Sequence, residues 1–312
     1  MTMEYRDSKR FDKKISRIGF GAWQLGNDQD FSGMSEKEGI ELVKKAVDEG
    51  ITFFDTAPNY AGGKSEKILG KALKGLESDI FINTKTGHHP NGNIDFTINS
   101  ITKSIYRSID ALNRDKLDSV ILHNPVQEVL KGETEHFSRM ISLKQEGVIG
   151  GYGVSIDTPD ELRWVLDSSD VDVIEIMFNI IHQSPKVWFE EVEKRDILLI
   201  VKIPFDSGWL TGKYDRNTKF KGIRSRWTPE DIQLRAELVD EIKDIVGQDD
   251  LVPVALSFIL SFKAVTTVIP GIRNNEQLQS NLDATNYNLS DDIKKRLEDY
   301  YTSRLSDLQI PW

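Results

Sequence analysis

The sequence predicts an α/β protein whose eight strands close into a (β/α)8 barrel, on three observations. Short apolar runs alternate with amphipathic segments along most of the 312 residues, the pattern of parallel strands joined by helical crossovers. The glycines of GFGAWQLG are not followed directly by a helix, so the G-x-G-x-x-G signature of a doubly wound open sheet is missing. The length lies in the range of one barrel, and no linker or low-complexity tract divides it, so a single domain over 1–312 is expected.

The elements follow in order. Residues before Ile15 are expected to form a β-hairpin that caps the bottom of the barrel. Eight strand-like runs come next: RIGFGAW, TFFDTA, IFINTK, SVILHN, GYGVSI, VIEIMFN, LLIVKIPF and TTVIPGI. They read as near-continuous apolar runs because a barrel strand is covered on both faces. Between them, SEKEGIELVKKAVDEG places Ile40, Val43, Ala46 and Val47 on one helical face, and TINSITKSIYRSIDAL does the same with Ile98, Ile101, Ile105 and Ile109. Ser35 ahead of Glu38 has the spacing of a capping box, and Gly50 marks the end of that helix. The stretch DSGWLTGKYDRNTKFKGIRSRWTPED after the seventh run is long and polar, which predicts a functional loop. An extra helix is expected at the C-terminal end.

Composition narrows the function classes. A net charge of −10 disfavours nucleic acid or an anionic membrane as partner, because binding either needs clustered cations. With no cysteine there is no disulfide framework, thiolate metal site or cysteine nucleophile. MTMEYRDSKRF lacks the apolar core of a secretory signal, and VPVALSFILSF is too short to span a bilayer. A cytoplasmic protein acting on a small molecule is the expectation.

Barrel enzymes carry their chemistry where strands end on the C-terminal face, so polar residues that terminate apolar runs are the candidates. Asp55 ends the second run, Lys85 the third and His123 the fourth, and Tyr60 lies in the turn after Asp55. Each alone has an ordinary structural explanation; their joint placement on one rim points to chemistry. A nearby ammonium favours a phenolate, and a carboxylate beside that ammonium keeps it charged and oriented. Tyr60 is thus a candidate general acid, with His123 positioned to direct the same substrate oxygen.

These residues sit within motifs that resemble the aldo-keto reductase family over essentially the whole chain: GFGAW, FFDTAPNY running into GKSEKILGKAL, INTK, ILHN, GVS, GWLTGKY and IPGIRNNEQLQSN. The resemblance implies a TIM barrel that binds a nicotinamide dinucleotide and transfers hydride to an aldehyde or ketone. It implies Tyr60 as the acid, Lys85 lowering its pKa, Asp55 holding Lys85, and His123 orienting the carbonyl. It assigns Gly21, Ala22, Trp23 and Ser155 to the cofactor. Pro204, Phe205, Ser207, Gly208, Leu210 and Lys213 would belong to the loop over the pyrophosphate, Arg273, Gln277 and Asn281 to the adenosine and phosphate site, and Pro270 and Gly271 also to the cofactor. Arg273 suits a 2′-phosphate, with stacking on adenine the alternative, and NADPH is expected over NADH. Trp23, His88 and Asn124 are expected at the substrate pocket.

Three positions depart from the family pattern. Ile156 follows Ser155 where the family has asparagine, Glu175 stands where it has glutamine, and Lys202 where it has an aromatic ring. Glu175 and Lys202 remain assigned to the nicotinamide, and are expected to form an ion pair replacing the ring platform. His88 and His89 lack a carboxylate at metal-ligand spacing, so no metal is assigned. Trp209 and Trp227 either cover the ligand or pack within their own loop. Two rival functions share the fold: a nicotinamide-binding regulatory module, such as the channel-associated beta subunits, and a lyase using Lys85 as an amine nucleophile.

Overall fold

A computed structural model describes residues 3–28, 33–308 and 310. The chain begins with an antiparallel hairpin, β1 (Tyr5–Ser8) and β2 (Phe11–Ser16). Eight strands then form one parallel sheet in sequence order: β3 (Phe20–Gly21), β4 (Phe53–Asp55), β5 (Phe81–Thr86), β6 (Leu117–His123), β7 (Ile149–Ile156), β8 (Val173–Met177), β9 (Leu198–Lys202) and β10 (Val265–Val268). All eight coincide with the predicted runs. Parallel bridges Ile18↔Val268 and Gly21↔Gly271, with Gly19 N–H donating to Val268 O at 2.8 Å, join the first strand to the last. That is the arrangement of a (β/α)8 barrel. At this seam a Cβ on Gly21 would lie 2.8 Å from Ile269 O, so backbone proximity alone explains the glycine.

The crossovers are helical: α1 (Glu36–Asp48), α2 (Lys64–Ala72), α3 (Ile98–Leu112), α4 (Gln127–Leu130), α5 (His136–Gln145), α6 (Pro159–Ser168), α7 (Phe189–Lys194), α8 (Pro229–Val246), α9 (Val252–Leu260) and α10 (Asn275–Asp283). The predicted capping box of α1 forms, with Ser35 and Glu38 satisfying each other's backbone N–H, and Gly50 takes a left-handed φ of 94° just past the helix. The expected extra helix is α11 (Asp291–Tyr300), fastened by Tyr300 Oη donating to Glu241 Oε2 at 2.6 Å and Gln183 Nε2 donating to Leu297 O at 3.1 Å.

Two apolar clusters hold the layers together. The larger lies where the helices pack on the sheet. The smaller comprises Ile15, Phe53, Phe81, Ile121, Val173, Leu198, Ile200 and Ile269. Phe11 of the hairpin closes it from below, edge-on to Phe81 at 4.9 Å. A Cβ on Gly151 would come within 2.5 Å of the Phe11 ring, which leaves glycine as the residue that admits the plug. Arg10 ties the hairpin down, bonding Asp170 Oδ1 at 2.7 Å and Arg195 O at 2.8 Å.

The period of two along a strand converts this core into a site. Stepping by two from Phe53 reaches Asp55, from Phe81 reaches Asn83 and then Lys85, from Ile121 reaches His123, and from Val173 reaches Glu175. Apolar residues fill the lower interior and polar ones the layer above it.

Candidate active site

Lys85 is the hub. Its Nζ donates to Asp55 Oδ1 at 2.6 Å and to Thr56 O at 3.2 Å. The other Asp55 oxygen accepts from Asn83 Nδ2 at 2.8 Å, and Asn83 Oδ1 in turn accepts from Ser119 Oγ at 2.6 Å. The carboxylate is therefore gripped on both sides. The same Nζ lies 5.2 Å from the centroid of the Tyr60 ring, and Tyr60 meets His123 edge-on at 6.0 Å. The turn that carries Tyr60 needs left-handed backbone at Ala61, Gly62 and Gly63 before α2 begins. The four residues picked from the sequence stand together, and His88 joins them by stacking on His123 at 4.4 Å.

Electrostatics corrects one expectation. Lys85 does pull on Tyr60, but burial acts more strongly, and Asp55 and Glu175 add to it, so the phenol is raised above its ordinary value. Lys85 is itself raised: burial opposes its charge, and Asp55, Glu175 and Tyr60 overcome that opposition. An amine held this firmly as ammonium has no lone pair to attack a carbonyl, which argues against the lyase reading. Burial and the charge of Glu175 push Asp55 up to about 8. His123 falls well below its ordinary value through burial and the cations Lys85 and Lys202, leaving a neutral imidazole.

The side of the site expected to meet the nicotinamide is arranged differently from the expectation. Glu175 and Lys202 do not pair directly. Glu175 Oε2 lies 3.0 Å from Lys85 Nζ, while Lys202 lies 2.9 Å from Asp157 Oδ1. Ser155 relays between them, its Oγ accepting from Lys202 at 2.8 Å and donating to Glu175 Oε1 at 3.1 Å. The reason is topological: the β8 carboxylate reaches across the interior to the β5 lysine, and the β9 lysine is claimed by a carboxylate just past β7. Lys202 also donates to Asn124 Oδ1 at 3.3 Å, and Asn124 Nδ2 to Asp157 Oδ2 at 2.8 Å, so Asn124 stands beside this network.

The other candidates separate by environment. Ala22 is fully buried, and Trp23 is 37% exposed on the rim. Pro204 and Pro270 are buried; Phe205, Ser207, Gly208, Gly271, Arg273 and Gln277 are half-buried, and Lys213 is exposed. Leu210 lies wholly in the core, so its side chain is committed to packing and only its backbone remains for a ligand. Trp209 and Trp227 likewise pack within their loop, with ring centroids 5.8 Å apart and Phe220 beside both. Gln277 Oε1 accepts from the Arg273 backbone N–H at 3.0 Å.

Several residues of the site were not picked from sequence. Asn83 and Ser119 are findable by the period of two, because each precedes a chosen strand-end residue at even spacing. Asp157, Asp206, Arg224, Arg226 and Arg235 carry no comparable signal. Arg224 Nε donates to Ser207 O at 2.8 Å and Arg226 to Ser207 Oγ at 3.2 Å, while Asp206 forms a fully buried pair with Arg235 at 3.0 Å. Ile203, Asp206 and Ser207 all have left-handed φ, a strain that collects at ligand clamps.

These features fit a dinucleotide. The Asn281 Nδ2 and Gln24 Oε1 atoms are buried without a hydrogen-bonding partner; Asn281 is expected at the adenosine end, and the Gln24 side chain lies against Gly271, also expected at the cofactor. Among the described residues no group of histidines and carboxylates could hold a metal ion, and no helix is long and apolar enough to cross a membrane.

A sequence profile of the Aldo/keto reductase family matches residues 17–301. The uncharacterized oxidoreductase YqkF of Bacillus subtilis is 27% identical over 285 residues, 88% of this chain and 89% of its own. The NADH-specific methylglyoxal reductase of Escherichia coli is 26% identical over 303 residues, 90% and 93% of the two chains. Among solved structures, the holo form of an aldo-keto reductase from Bacillus halodurans is similar with a TM-score of 0.80 at 25% identity, over 96% of each chain.

Proposed function

The chain belongs to the aldo/keto reductase family, and from that premise we propose that it is a cytoplasmic oxidoreductase reducing an aldehyde or ketone to an alcohol, with NADPH as preferred cofactor and Tyr60 as general acid. The observation that carries this reading is the buried Asp55–Lys85 pair at 2.6 Å, with the Tyr60 ring 5.2 Å from Nζ.

The chemistry assigns each group a task. When bound, the reduced nicotinamide supplies the hydride. Tyr60, kept protonated at neutral pH, delivers a proton from Oη to the oxygen on which negative charge develops. Lys85 stabilises that oxygen's surroundings as a fixed positive charge, and Asp55, held by Asn83, keeps the ammonium in place. Neutral His123 donates a hydrogen bond that aims the carbonyl without competing for the proton. Lys202 would be the donor to the carboxamide, since the Ser155 hydroxyl proton is given to Glu175, while Asn281 and Gln277 would serve the adenine end and Arg273 a 2′-phosphate.

A second reading, a nicotinamide-binding regulatory module with slow turnover, is favoured by the engagement of Ser155 and Glu175 with Lys202 and Lys85 rather than with an open carboxamide site. Turnover separates the two. NADPH and NADH oxidation measured against a panel of aldehydes, ketones and sugars is expected to show carbonyl-dependent rates, higher with NADPH. Arg273→Ala is expected to weaken NADPH by roughly 10–100-fold, the worth of a charge-assisted hydrogen bond, and to leave NADH nearly unchanged. Equal losses for both cofactors would remove Arg273 from the phosphate site.

A further inference from the structure

One buried charge goes unused in that mechanism. Glu175 is 2% exposed and sits on β8, three strands from Lys85, yet its Oε2 lies 3.0 Å from the same Nζ that Asp55 occupies. The contact is ionic, since Oε2 lies outside hydrogen-bonding geometry, and Oε1 is held by the Ser155 hydroxyl at 3.1 Å. Two carboxylates thus flank one ammonium, which also donates to Thr56 O at 3.2 Å.

We propose that Glu175 is a positioning residue acting through Lys85: by sharing the buried ammonium with Asp55 it holds that cation's field away from Tyr60, and so sets the pH at which the site changes from proton donor to proton acceptor. The inference rests on the reductase reading for its consequence, but not for its geometry.

A lone Asp–Lys pair next to a phenol is close to neutral, and the ammonium nearest the hydroxyl prevails. Adding a second carboxylate gives the cluster a net negative charge once Asp55 has ionised, above about pH 8, and that charge resists forming a phenolate in the range where the phenol titrates. The charged and titratable neighbours around Glu175 are Asp55 from β4, Tyr60 from the turn after it, Lys85 from β5, His123 from β6, and Lys202 from β9. Lys202 offsets the added charge only in part, because Asp157 at 2.9 Å claims it. The raised state of Tyr60 and Asp55, to each of which Glu175 contributes, has the direction this geometry requires.

The test places a fluorinated tyrosine, whose more acidic phenol titrates while the protein is folded, at position 60 and follows it by fluorine NMR without cofactor or carbonyl. Glu175→Gln, which preserves shape, is expected to move the midpoint to lower pH by on the order of one unit, the effect of removing a nearby like charge. Glu175→Asp, which restores the charge on a shorter arm, is expected to return part of the shift. Coincident midpoints, or a midpoint moved upward by Glu175→Gln, would overturn the proposal. In the protein with natural tyrosine, the alkaline limb of kcat for reduction should move the same way; a uniform drop in kcat with an unmoved limb would mark a merely structural role and also overturn it. Because the NMR midpoint needs no turnover, its failure is distinct from failure of the reductase reading.

Discussion

Tyr60→Phe is expected to lower kcat for carbonyl reduction by about 10²–10⁴-fold, the range for a general acid removed from a site otherwise intact. Phenylalanine keeps the edge contact with His123 at 6.0 Å and the ring 5.2 Å from Lys85 Nζ, so packing and ligand binding should survive. Cofactor affinity, read by fluorescence titration, is therefore expected to stay close to that of the unaltered protein. The loss should appear in kcat and kcat/KM together, because the hydroxyl acts only where charge develops on the substrate oxygen. Unchanged kcat would transfer the proton donation to another group beside the ring, Lys85 or His123.

Lys85→Met is expected to cost stability as well as activity. Methionine fills the space but leaves Asp55 and Glu175 buried without their cation, and breaking a buried pair from one side typically costs about 3–5 kcal/mol. The sign with pH follows from the direction of the shifts. Without the ammonium both carboxyl groups titrate in the folded state above their unfolded values. The protonated, tolerated form thus prevails below the ordinary carboxylate range, and stability is lost as pH rises through the raised folded values. Asp55, already at about 8 with Lys85 present, marks where that loss extends. Urea unfolding of the variant should show its smallest deficit at acidic pH and its largest above pH 8. A pH-independent deficit would mean that lost packing, not unpaired charge, is what the substitution costs.

What the sequence made legible follows from which interactions are local. The eight strands could be read because a strand covered on both faces must be apolar, and the end of each run marks the rim. Asp55, Lys85 and His123 announced themselves as polar residues terminating such runs. The capping box at Ser35 and Glu38 was legible because its partners are three residues apart. Glu175 was visible as an oddity, but its partner was not. The nearest cation in the reading was Lys202 on the adjacent strand, whereas the barrel interior brings β8 opposite β5 and gives Glu175 to Lys85 instead. Asp157, which takes Lys202, lies one residue beyond a strand end with nothing in its spacing to mark it. Leu210 carried a motif position into the core because motifs record residues, not side-chain direction. The acidity of Tyr60 was misjudged for a related reason: one cation was counted, while burial and two carboxylates set the balance.

Hydride transfer is the claim on which the rest depends, and the fate of one atom tests it. With NADPH carrying deuterium at the reactive carbon of the nicotinamide, the alcohol formed from an accepted aldehyde or ketone should carry deuterium at the former carbonyl carbon, with none entering from deuterated water. Product lacking that label, or labelled from the solvent, would contradict the account.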